Sequence, residues 1–152
     1  MLNRLFQTED SWSFLILRVL LALVIFPHGA QKLFGWFGGH GFDAAMNGFT
    51  AHMHIPWFFA FMAILAESIG PMALFVGFLS RIAAFGIFCE MIVAIWLVHW
   101  PHGFFMNWFG KQNGEGFEYH ILVIAISVAL LSGGGGKWSL DRLIGERLRT
   151  AP

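Results

Sequence analysis

Apolar residues dominate four long stretches of this chain, at about 13–34, 57–79, 82–100 and 117–132. Each approaches the ~20 residues that an α-helix needs to cross the hydrocarbon core of a bilayer. The pattern predicts an all-α fold, an integral membrane four-helix bundle occupying 1–152 as a single domain. Positions 35–56, rich in glycine and aromatics, predict a short helix near 42–52 in the first outer loop. A second outer loop, 101–116, carries HGFFMNWFG, whereas the opposite turn is only Ser80 and Arg81. The GGGG run at 133–136 must end the last span. Ser139 then reads as the N-cap of a C-terminal interfacial helix in a tail at 137–152, with Leu140, Leu143 and Ile144 apolar.

Composition supports lipid as the solvent. The chain is 57% apolar and 12% charged, with a mean hydropathy of +0.67, where soluble domains carry about a quarter charged residues. Formal net charge is zero without a basic tract, so no nucleic-acid partner is expected. The single cysteine, Cys89, excludes an intramolecular disulfide and a CxxC redox pair, and reads as a packing residue.

Charge also orients the spans. Arg4, Arg18, Arg81, Lys137, Arg142, Arg147 and Arg149 fall on one side; Lys32 and Lys111 fall on the other. This positive-inside bias places both termini in the cytoplasm of a bacterial-type inner membrane. Trp12 and Trp138 mark the inner interface, and Trp36, Trp57, Trp100 and Trp108 the outer one. No A-x-A-like cleavage site follows the first apolar stretch, so an uncleaved span is expected.

Ionisable groups at membrane depth are costly and point to function. At 100° per residue, Ala60, Ala63, Glu67, Gly70, Leu74 and Gly77 share a stripe that faces the bundle, with Pro71 freeing a carbonyl. Glu118, Leu122, Ala125, Ala129 and Ser132 make a similar stripe in the last span. Arg18, His28 and Lys32 lie within about 80° of one another. Glu67 needs a partner, and Arg18 is the expected one. Arg81 and His99 share a face, which leaves Glu90 pointing the other way, toward a subunit interface. His102 is expected at the pocket mouth, while His120 faces away from Glu118 toward an interface. His40, His52 and His54 read as solvated loop residues; neither a metal site nor haem is expected. The candidate catalytic residues are therefore His28, Glu67, His99 and Glu118, with Arg18, Lys32, Arg81 and His102 lining a pocket in the outer half.

The ordered runs PHGAQKLFG, GFLSR, VHWPHGFF, GFEYH and GGGGKWSLD, with Glu67 among them, resemble the DoxX family over 14–141. The matching positions are Arg18, His28, Gly29, Lys32, Glu67, Arg81, His99, Glu118, Ser139 and Asp141. The resemblance implies a four-helix protein of the cytoplasmic membrane associated with redox systems, similar to the membrane subunit of thiosulfate:quinone oxidoreductase. It implies a quinone-linked oxidoreductase subunit, with a quinone or a redox partner protein supplying the redox centre. The alternatives are a non-catalytic scaffold or maturation module that recruits a partner, and a small-solute or proton-coupled transporter. Beyond the lipid bilayer, the expected partners are a redox protein or further copies of the chain.

Overall fold

The computed structural model describes residues 2–150; Met1 and the last two tail residues, Ala151 and Pro152, lie outside them. The helices are α1 (Leu2–Leu5), α2 (Trp12–Phe34), α3 (Phe42–Asn47), α4 (Trp57–Val76), α5 (Ser80–Ala94), α6 (Glu118–Gly133) and α7 (Leu140–Thr150). A π-helical turn, Gly48–His52, continues α3, and another, Ile95–His99, continues α5 before a 3-10 turn at Trp100–His102. Three helices are long and apolar enough to cross a membrane: α2, α4 and the continuous Ser80–His102; α6 is shorter but apolar. This is a multi-pass membrane protein. Its outward faces carry the residues lipid requires, among them Leu20, Phe75, Ile82, Phe85 and Trp96.

α2 packs on α4 and α6, and α5 packs on the same two, so the four close into a ring. Small residues allow the closest approach. A Cβ on Gly29 would collide with the backbone carbonyl of Glu67. That carbonyl is the one Pro71, four residues on, cannot bond, because proline has no N–H. The α4 stripe faces inward, with Ala60, Glu67, Gly70 and Leu74 all buried. The inner face of α6 differs from expectation. His120, Val123, Ser127 and Leu130 are buried, while Leu122 is 65% exposed. Leu and Ala are equally at home against lipid, so only the polar His120 and Ser127 choose the face.

The cytoplasm-side end, as the charge pattern predicts it, is closed by Arg18, 2% exposed. Its Nε donates to Gly135 O (2.7 Å), Nη1 to Leu74 O (2.8 Å) and Phe75 O (2.6 Å), and Nη2 to Lys137 O (3.2 Å) and Trp138 O (2.9 Å). Two of these carbonyls belong to the last turn of α4, where intrahelical donors run out; Leu74 O also accepts from the C-cap Gly77 N (3.0 Å). Arg18 therefore does not pair with Glu67. Glu67 lies level with Gly29, eleven residues or about 16 Å farther along α2.

Asp141 completes this end. Its carboxylate accepts from Leu79 N (2.7 Å) and Ser80 N (2.8 Å), capping α5, and its own N–H donates to Gly77 O. Ser139 caps α7 by accepting from Arg142 N. Arg81 reaches sideways to the last carbonyls of α6, Leu131 O and Ser132 O, where a helix C-terminus attracts a cation. It lines no outer pocket. On the surface, Asp10 pairs with Lys137 and Arg142; the Lys137 hydrogen bond leads in holding its carboxyl below the usual aspartate value.

A lysine at position 18 offers three donors without the planar fork. Arg18→Lys is expected to cost roughly 2–3 kcal/mol, the penalty for leaving buried carbonyls without donors. The check is the thermal unfolding midpoint in detergent micelles, with Arg4→Lys unchanged. An unaltered midpoint for Arg18→Lys would contradict this role.

Candidate functional site

The outer half of the ring encloses a cavity of about 360 Å³. Its position follows from the Gly29 contact, which holds α2 and α4 together at Glu67. Three residues on, Lys32 Nζ forms an ion pair with Glu67 Oε2. Glu67 is 7% exposed. From α5, the Glu90 carboxyl comes against that of Glu67, and its Oε2 has no hydrogen-bond partner. Lys32 thus faces two carboxyls, and it is the one lysine or arginine among the described lining residues.

Histidines and the single tyrosine line more of the wall. The rings of His99 and His120 lie 4.0 Å apart between centroids, and Tyr119 sits 6.5 Å from the exposed His28. His99 Nδ1 is 2.9 Å from the carbonyl oxygen of Glu115. A carbonyl only accepts, so Nδ1 carries the proton in this contact. Buried His120 Nδ1 and Tyr119 Oη have no partners. Buried polar atoms are normally satisfied, so three orphans around one cavity mark a place for a ligand or water. Apolar side chains, including Ile25, Phe49, Met91, Leu97 and Val98, make the rest of the wall.

Of the residues expected here, the structure brings together His28, Lys32, Glu67 and His99. Arg18 and Arg81 serve the opposite end. Glu118 Oε1 accepts from Met106 N (2.9 Å) and Trp108 Nε1 (3.1 Å), and so fastens the second outer loop instead of facing the cavity. The His102 ring packs against Gly114, also outside it. Glu90 faces the cavity and not a subunit interface. The π-helical turn at Ile95–His99 takes more residues per turn, so Glu90 and His99 are no longer on opposite sides. His120 faces inward. Glu90, Tyr119 and His120 were missed, although a carboxylate in mid-span was itself a signal. Among the described residues, no group of three or more His, Cys, Asp or Glu side chains is placed to hold a metal ion.

The DoxX family model matches residues 13–100, which is 88 of the 152 in the chain. The chain belongs to the DoxX family. The matched region holds Arg18, His28, Gly29, Lys32, Glu67, Glu90 and His99, so the ion pair and much of the cavity lie inside the DoxX segment. Tyr119, His120 and Asp141 lie beyond it. An uncharacterized protein of Haemophilus influenzae is 28% identical over 137 residues, covering 87% of this chain and 83% of its own length. No solved structure matches the chain.

Removing one partner of a buried pair leaves the other charge uncompensated. Lys32→Met is expected to destabilise the protein by roughly 3 kcal/mol, the low end for such pairs because Lys32 is partly exposed. Adding Glu67→Gln should restore much of the loss. Thermal unfolding in one detergent gives both values; a double variant as unstable as Lys32→Met would contradict the pairing.

Proposed function

We propose that this protein is the membrane subunit of a redox system and binds a quinone in the outer cavity. The observation that carries the reading is the convergence of Glu90, Tyr119 and His120, each with an unpaired polar atom, in a cavity that also holds the Lys32–Glu67 pair among apolar side chains. About 360 Å³ is within the range of small-molecule sites. A quinone head fits this donor set: a flat apolar ring meets apolar walls, and its two carbonyl oxygens need donors. Tyr119 Oη and His120 Nδ1 would donate to them. Lys32 would favour negative charge developing on the ring oxygens, because a fixed cation acts strongly where water is excluded. Glu67 and Glu90 would hold and pass protons. When bound, the quinone supplies the electron-accepting group, and the electrons come from a partner protein that the outer loops would recruit.

In this reading α6 is the fourth span. Its 16 residues extend about 24 Å, short of the ~30 Å core, and the aromatic loop before it makes up the difference. Both termini lie in the cytoplasm of a bacterial inner membrane, so the cavity opens in the outer leaflet. A green fluorescent protein fused to the C-terminus should fluoresce and alkaline phosphatase fused there should be inactive; the reverse pattern would invert the orientation.

Native purification in mild detergent, then mass spectrometry of extracted lipids, is expected to recover a quinone. Titration with a short-chain ubiquinone should saturate. Tyr119→Phe and His120→Ala should each weaken binding about tenfold, the value of one buried hydrogen bond. His102→Ala should bind normally. No copurified quinone together with no saturable binding would refute the reading.

A further inference from the structure

Two π-helical turns face the same cavity. Phe49 comes from Gly48–His52, with Met53 directly after it; Leu97, Val98 and His99 come from Ile95–His99. Such turns are rare and concentrate at functional sites. Side chains in and beside these turns are unusual for a cavity wall. Met53 is 43% exposed, Val93 47% and Leu97 46%, whereas Glu67 and His120 at the back are 7% and 6% exposed. On this side the wall grades from an open apolar rim to a buried polar interior. Beside that rim, Ile92 on α5 and Trp96 in the π-helical turn are outward apolar residues, so this side of the cavity faces hydrocarbon, while exposed His28 and Glu115 line it elsewhere.

We infer that the cavity admits its ligand sideways from the bilayer, between Met53 on one side and Val93 and Leu97 on the other. The ligand is then a lipid-soluble molecule that inserts a polar head and leaves an apolar tail at the rim. The unpaired Nδ1 of buried His120 waits at the far end for that head. The inference deepens the reading of this same site but does not require the head to be a quinone. Met53 suits a rim residue, because an unbranched thioether adapts to the shape of what passes.

The test uses the full chain in phosphatidylcholine vesicles with an aryl diazirine dissolved in the lipid. On illumination the diazirine loses dinitrogen, and the carbene inserts into the nearest X–H bond. Mass spectrometry is expected to find adducts on Glu90 and Tyr119, as well as on lipid-facing Leu20 and Phe85. Met53→Trp with Leu97→Trp should lower Glu90 and Tyr119 labelling several-fold relative to Leu20, and Met53→Ala should raise it. Labelling of Leu20 and Phe85 reports that each variant is still folded in the membrane. A charged, water-soluble diazirine labelling Glu90 and Tyr119 while the lipid-dissolved one does not would overturn the inference, as would ratios unmoved by both sets of substitutions. Lateral labelling in a protein that binds no quinone would keep this inference and sink the quinone reading.

Discussion

Nothing in hydrocarbon can hydrogen-bond a stray carbonyl, and Arg18 is where this chain meets that constraint. Its guanidinium gathers carbonyls from the end of α4 and from the glycine-rich segment after α6. Segments 56 to 120 residues along the chain from Arg18 are thereby fixed to one point on α2. Gly136, at φ +72°, makes the sharp turn that brings Lys137 and Trp138 into reach. Asp141 then caps α5 from the same segment, close enough to act on the Arg18 charge. The inner end becomes rigid without an ion pair across the helices. The outer end can therefore hold groups that are not all satisfied.

This division sorts the costly residues by role. Cations at the end opposite the cavity satisfy backbone: Arg18 at the end of α4, Arg81 at the end of α6. Groups in the outer half leave atoms unpaired around a cavity. Among the described residues, unpaired buried atoms also occur at Ser80, Arg81 and Ser127, but only Glu90, Tyr119 and His120 bring theirs to one cavity. Membership of the DoxX family fits a membrane frame of this kind, and the quinone reading adds a chemistry suited to its donors.

Much of the frame was legible in the sequence. Small residues beside Glu67 fixed the inward face of α4, because only they permit close helix approach. The phase of α6 was not legible, since alanine and leucine both suit lipid and a small stripe can lie outside. The Arg18–Glu67 pairing failed on depth: a long side chain was expected to bridge the gap, but rise along α2 separates the two levels by about 16 Å. Glu90 was misplaced because ideal periodicity cannot foresee a π-helical turn. What distinguishes structural from cavity residues is the partner each atom finds, and that depends on packing between segments far apart in sequence.

The convergence of charged groups in the outer half is most directly measured by solid-state NMR on ¹⁵N,¹³C-labelled protein in lipid bilayers. Dipolar recoupling between lysine Nζ and carboxyl carbons should connect Lys32 with Glu67, and carbon–carbon transfer should connect the Glu67 and Glu90 carboxyls. Finding Lys32 coupled to neither, with the two carboxyls out of range of each other, would contradict a shared polar cavity.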